Sequence, residues 1–228
     1  MSILRSRLLE QAGFRHTFPE RTVGDADLLA ALDVGAITQV KQVHGARAVE
    51  AIEASGAEAD ALVARASPGA EHVSAIGVRV ADCVPILVGD RVTGDVAAIH
   101  AGWRGVVAGV VGAALARMQG SSLVAAIGPC IGGCCFEVGG EVAEAIARVV
   151  SADGVVARHA FGKAFVDLRA AVRAQLRAVG VPNESVEDVL GCTRHEPFRF
   201  HSFRRDGPNS GRMLAAIAVG RRRGIGVR

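Results

Sequence analysis

The feature that most constrains this chain is a series of short apolar runs, each ended by residues that turn the backbone. Ala59 to Arg65, His72 to Val88, Asp95 to Ala101, Leu123 to Ile127, Val186 to Gly191 and Met213 to Val219 all read as strands. The long run is broken at Asp82–Pro85, and Gly89-Asp90-Arg91-Val92-Thr93-Gly94 turns it into the next. Ile37 to Ile52 reads as a strand, a tight turn at His44–Gly45 and a second strand. Between the strands lie helical stretches. Gly105 to Gln119 is one, and Val138 to Val150 carries Val142, Ala145, Ile146 and Val149 on one stripe. Leu168 to Val179 turns Val172, Leu176 and Val179 inward and Arg169, Arg173 and Arg177 outward, and it stops at Gly180 and Pro182. Strands and helices in this order predict an α/β (α+β) fold with an extensive mixed sheet. No linker or repeat divides the chain, so residues 1–228 are expected to form a single domain.

Composition removes several classes of function. The sequence is 50% hydrophobic with a formal net charge of +3, which is opposite to the signature of a disordered chain. A nucleic-acid binder carries a basic stripe, and the one dense run here is Arg221 to Arg223 near the C-terminus, which reads as a solvated tail. No stretch of about 18 apolar residues predicts a membrane span, and the N-terminus lacks a signal peptide's apolar region. Five cysteines fit no simple disulfide framework, so a reducing, cytoplasmic compartment is expected. A monomer is expected, because no exposed apolar stripe stands out.

Three segments look chemical: Lys41-Gln42-Val43-His44-Gly45, Ala81-Asp82-Cys83-Val84-Pro85 and Ile99-His100-Ala101-Gly102-Trp103-Arg104-Gly105. Each sets a metal-compatible side chain at the end of an apolar strand. If the hairpin turn centres on Arg91 and Val92, Asp90 faces Thr93 and Cys83 falls opposite His100. Cross-strand partners on one face have Cβ atoms about 4.5–5.5 Å apart, close enough to share a metal. His44, from a separate hairpin, would supply a third ligand. Two His and one Cys with an open fourth position is the pattern of a catalytic zinc. The competing reading is a small core cysteine and packed strand-end histidines.

With Ile127-Gly128-Pro129-Cys130-Ile131-Gly132 and Ser202-Phe203-Arg204-Arg205-Asp206, these segments in order closely resemble the YfiH-like family, also called the laccase-domain or multicopper polyphenol oxidase family. The resemblance runs from about Gly13 to Val219. It implies a four-layer α/β/β/α sandwich and a zinc-dependent purine nucleoside phosphorylase. The implied scope is adenosine, guanosine, inosine and methylthioadenosine with phosphate, together with adenosine deamination. The family's metal ligands fall on His44, Cys83 and His100. The segment Thr17 to Gly24 is looser than the family's Ser/Thr-Arg-Gly-Gly run, which leaves N-terminal substrate contacts open.

Phosphorolysis needs an anion site, and the planar fork of Arg suits phosphate. Arg104, Arg204, Arg205 and Arg212 are the candidates, some of them competing as surface or ion-paired arginines. Arg204 and Arg205 alternate along an extended segment, so one of the two is expected to face the site. Asp82 is a candidate for the catalytic set and Gln42 for substrate binding; either can orient a ligand, and a carboxylate capping a turn is the alternative for Asp82. Trp103 and Phe203 can stack on a purine or pack in the core. Cys130, Cys134 and Cys135 have no His within ten residues, so a loop that packs is expected there rather than a second metal.

Three other functions remain open. A Cu2+-dependent polyphenol oxidase would need roughly ten His with His-x-His pairs, as imidazole is a main copper ligand. This chain has seven His and no such pair. A metal-free hydrolase with Cys83 as nucleophile and His100 as base would need the same opposed strands. A non-catalytic binding role has no residue in its favour.

Overall fold

The computed structural model describes residues 2–67, 75–150, 152–158 and 162–220. The first half of the chain gives β1 (Ile3–Leu4), α1 (Arg7–Gln11), β2 (His16–Pro19), α2 (Asp25–Leu32), β3 (Ile37–Thr38), β4 (Ala48–Glu50), β5 (Ala61–Ala64), β6 (Ala75–Val80), β7 (Val84–Asp90) and β8 (Val96–Ala101). The second half gives α3 (Trp103–Ala108), α4 (Val110–Leu115), β9 (Leu123–Ile127), β10 (Glu137–Gly139), α5 (Gly140–Val149), β11 (Val156–Arg158), β12 (Lys163–Val166), α6 (Leu168–Ala178), β13 (Val186–Asp188), α7 (Phe203–Asp206) and β14 (Met213–Ala218).

Among the described residues, a five-stranded sheet in the order β1-β2-β14-β6-β3 faces a six-stranded sheet in the order β13-β9-β7-β8-β5-β4. Both mix parallel and antiparallel pairs. The unbroken apolar runs follow from burial on both faces. Leu62, Leu87, Ala98 and Val124 point into the space between the sheets and meet Ile76, Val78 and Ile217. Their chain neighbours Val63, Ile86, Ile99 and Ala125 point the other way, where Val106, Val111, Ile146, Val172 and Leu176 of α3 to α6 cover them. On the far side, Leu32 of α2 packs on Ala216 and Ala218. The layers therefore run helix, sheet, sheet, helix, a mixed α/β sandwich. A small sheet, β10-β12-β11, lies beside it. No helix among the described residues is long and apolar enough to cross a membrane.

Several local expectations are corrected. Ile37 to Ile52 is not a hairpin: β3 pairs with β6 in one sheet and β4 with β5 in the other, so the intervening segment passes between sheets. The stretch from Gly105 to Gln119 is not one helix. Gly109, at φ 82°, ends α3 in the left-handed conformation that glycine adopts without a Cβ clash, and α4 starts afresh. On α6, Arg169 reaches back to the Gly191 carbonyl at 3.2 Å and Arg173 pairs with Asp188 at 3.1 Å, while Val179 is 44% exposed. The segment at Phe203 is a helical turn, not an extended strand. The start of the His72 run and Arg221 to Arg223 lie outside the described residues.

The β7–β8 hairpin also differs in register. Asp90 accepts from the Val92, Thr93 and Ser122 amides, and the turn closes between Asp90 and Asp95. Pro85 then faces His100, so Cys83 lies one step beyond β7, on a line with Gly102. The offset is two residues, an even number, so side-chain facing is preserved and Cys83 becomes a diagonal neighbour of His100.

Candidate metal centre

The centre forms where the chain twice leaves one sheet for the other. The first crossing, between β3 and β4, carries His44; the second, between β6 and β7, carries Cys83. Each crossing contains a residue with positive φ, His44 at 62° and Asp82 at 87°. Such backbone costs a non-glycine residue energy and persists where its surroundings hold it. His100, near the end of β8, is buried beneath them.

Asp60 holds the first crossing. Its buried carboxylate accepts from the amides of His44 (2.9 Å), Gly45 (2.6 Å) and Val43 (3.3 Å), and its Oδ1 lies 2.7 Å from His100 Nδ1. One carboxylate thus fixes the backbone of His44 and the ring of His100. Burial opposes its charge, but hydrogen bonds from His100 and Gly45, the His100 charge and the His44 amide hold its pKa below the ordinary value. Gln42 clamps the same crossing to β6 by donating to the Arg79 carbonyl and accepting from the Arg79 amide, both at 2.8 Å.

Asp82 holds the second crossing. It accepts from the Thr193 hydroxyl and from the Arg204 amide, each at 2.6 Å, and its carbonyl accepts from the Ile131 amide at 2.9 Å. Both carboxylate oxygens are engaged, so Asp82 positions the bend that presents Cys83.

His44, Cys83 and His100 each offer a ligand atom within 4.8 Å of the other two. The imidazoles meet edge to face, with ring centroids 4.9 Å apart. Burial raises the pKa of the Cys83 thiol, but hydrogen bonds and charge from His100 and His44 outweigh it and bring it to about 7. Burial likewise works against a charged His100, whose contacts with Asp60 and Cys83 still raise it to about 9. The donor set suits a borderline divalent metal: two imidazoles, one thiolate-prone sulfur, and a carboxylate behind one imidazole that fixes which ring nitrogen is free.

This trio borders a cavity of about 610 Å³. Gln42, Asp82, Trp103, Arg104, Phe203, Arg204 and Arg212 line it too. Three of the arginines lie over aromatic rings: Arg104 over Trp103 at 4.5 Å, Arg204 over Phe136 at 5.1 Å and Arg212 over Phe203 at 5.5 Å. Arg205 does not line the cavity. It binds Asp206 and the carbonyls of Thr193 and Phe200 at 2.8–2.9 Å, which pins the preceding loop, because the helical turn points it away from Arg204.

The sequence reading missed Asp60, Arg79 and Thr193. Asp60 left a signal, a lone charge in the apolar run from Ala59 to Val63. Thr193 left none, because it meets Asp82 across more than a hundred residues of chain.

The chain matches the family described as "Multi-copper polyphenol oxidoreductase laccase" over residues 24–220. It is 40% identical over 215 residues to adenosine deaminase RL5 of an unknown prokaryotic organism, covering 85% of this chain and 80% of that protein. It is 41% identical over 172 residues to a purine nucleoside phosphorylase of Bacteroides thetaiotaomicron, covering 70% of this chain and 60% of that one. The crystal structure of YlmD from Geobacillus stearothermophilus superposes with a TM-score of 0.76 and 28% identity, covering 97% of each chain. With a matching sandwich, the motifs in order and these relatives, the chain belongs to the YfiH-like, laccase-domain family.

Proposed function

We propose that this chain is a zinc-dependent purine nucleoside phosphorylase acting on adenosine, guanosine, inosine and methylthioadenosine, with adenosine deamination at the same centre. The observation that carries it is the convergence of His44, Cys83 and His100 on a cavity that is also lined by Arg104, Arg204, Arg212, Trp103 and Phe203. The names of the relatives, phosphorylase and adenosine deaminase, support the substrate class. A volume of about 610 Å³ lies within the range of small-molecule sites.

His44, Cys83 and His100 would hold the zinc, which when bound supplies Lewis acidity and activates water. The protein's own groups do the rest. Asp60 accepts a hydrogen bond from Nδ1–H of His100, which leaves the Nε2 lone pair to bind metal. Asp82 and Gln42 keep the two crossings in place. Arg104, Arg204 and Arg212 bind phosphate and offset the charge that develops as the glycosidic bond breaks. Trp103 and Phe203 stack on the purine.

Cys83→Ala is expected to abolish both zinc retention at this centre and phosphate-dependent release of base from inosine or adenosine. Full phosphorolysis by a variant that has lost the zinc of this centre would overturn the assignment. Stoichiometric copper without zinc would restore the oxidase reading that the family's name suggests.

One observation favours a second reading. Asp60, His100 and Cys83 stand in the order of acid, base and nucleophile, which suits a metal-free Cys–His hydrolase. Alkylation of Cys83 that zinc prevents supports the ligand role. An acyl-thioester trapped on Cys83 supports the nucleophile.

A further inference from the structure

Away from the cavity's chemistry, the fold gathers four metal-compatible side chains that the sequence scatters. Cys134 and Cys135 follow the loop after β9, and Cys192 and His195 lie in the loop after β13. A parallel bridge between Cys130 and Cys192, with the Thr193 amide donating to the Cys130 carbonyl at 3.0 Å, draws the loops together. The Glu196 carboxylate then accepts from the Cys192 amide at 2.6 Å and the Glu196 amide donates to the Cys192 carbonyl, so a tight turn returns His195 toward the sulfurs. All four ligand atoms fall within 4.8 Å of one another.

The separations fit one ion. A tetrahedral zinc with Zn–S of about 2.3 Å and Zn–N of about 2.0–2.1 Å sets its sulfurs about 3.8 Å apart and a sulfur about 3.6 Å from a nitrogen. Cys134 Sγ lies 3.7 Å from Cys135 Sγ and 3.6 Å from His195 Nδ1. Backbone amides converge on Cys192 as well. The Gly132 amide donates to Cys192 Sγ at 3.3 Å, and the amides of Arg194 and His195 are directed at the same sulfur. Outer-shell donors of this kind orient and stabilise metal-bound ligands. Gly132 leaves room for the cluster: a Cβ there would sit 3.2 Å from Cys134 Sγ and 3.4 Å from Cys192 Sγ.

We propose that Cys134, Cys135, Cys192 and His195 form a second zinc site, closed and structural, separate from the trio of His44, Cys83 and His100. Three sulfurs and one nitrogen leave no open position, as in structural rather than catalytic zinc sites. Each thiol that binds releases its proton to solvent, and no oxidant or reductant takes part. The ion staples together two loops that the cavity depends on. One carries Ile131 and Phe136, which line the cavity, and the other carries Thr193, which donates to Asp82.

The test uses the full chain purified without chelator. His195 is exposed, so His195→Ala is expected to fold, and its zinc content should fall by one ion per chain relative to the unsubstituted protein; Cys192→Ser should do the same. Cys83→Ala should keep this ion, and when loaded with cobalt should still show strong thiolate-to-cobalt charge-transfer absorption. Loss of the second zinc is expected to lower the melting temperature while the first remains bound. Zinc content unchanged by both His195→Ala and Cys192→Ser would overturn the proposal. So would an intact-mass measurement showing a disulfide among Cys134, Cys135 and Cys192 in protein kept under reducing conditions. An unsubstituted protein that holds only one zinc, and keeps it in Cys83→Ala, would support this site and count against the catalytic one, so the two readings fail separately.

Discussion

Asp60 Oδ1 lies 2.7 Å from His100 Nδ1 while accepting the His44 amide at 2.9 Å, so one buried oxygen sets the ring of one candidate ligand and the backbone of another. Removing its charge while keeping its shape should loosen both. Asp60→Asn is expected to weaken zinc binding about 10–100-fold, the usual effect of losing a partner behind a metal-bound imidazole. Competition with a chromophoric chelator measures this, and an affinity equal to that of the unsubstituted protein would count against the arrangement.

The metal-free protein should show the Cys83–His100 pair in its pH dependence. A thiol lowered to about 7 stabilises the fold above its unfolded pKa, and that contribution is lost as pH falls through about 7. An imidazole raised to about 9 does the reverse: its contribution is complete below its unfolded pKa and is lost as pH rises through about 9. Across about pH 7 to 9 the two contributions run in opposite directions, so the melting temperature of the stripped protein should stay nearly level there, and Cys83→Ala should uncover the imidazole's part as a fall in melting temperature with rising pH. Alkylation of Cys83, followed by peptide mass, should have its midpoint near pH 7, below the value of about 8.5 for a free cysteine.

Arg204 lines the cavity and donates to one backbone carbonyl, that of Glu137 at 2.7 Å, whereas its neighbour Arg205 is tied into the preceding loop. Arg204→Ala should raise KM for phosphate roughly 10–100-fold, matching the loss of a charged hydrogen bond of about 1.5–3 kcal/mol, with little change in melting temperature. Arg205→Ala should do the opposite, because it leaves the Thr193 and Phe200 carbonyls without their donor. Steady-state kinetics and thermal melts on the two variants separate the roles.

Asp90 carries the hairpin register. Asp90→Ala removes the acceptor for three amides, and is expected to cost about 2–4 kcal/mol in denaturant unfolding. Asp90→Asn keeps one amide acceptor oxygen and should recover part of that loss.

How far the sequence disclosed this protein depended on the range of the interaction. The strands were legible from β5 to β9 because local apolar runs matched elements buried on both faces. The facing of Cys83 and His100 was legible because it needs only the parity of the register, although the turn was placed one residue early. His44 was assigned to a hairpin because a strand, a Gly and another strand look alike whether the chain turns back or passes to a second sheet. The kink at Gly109 was missed because glycine within an apolar helical stretch carries no pattern of its own. The partnership of Cys134 and Cys135 with Cys192 and His195 was invisible because it depends on two loops meeting about sixty residues apart.

The two crossings have a mechanical consequence. His44 and Cys83 both sit on links between the sheets, whereas His100 belongs to a strand of one of them. A slide of one layer along the other would stretch both links and spread the donor atoms. With a metal bound, tightness of the grip would therefore gauge how well the layers are seated, and substitutions buried far away between them should be felt at the cavity as weakened metal retention.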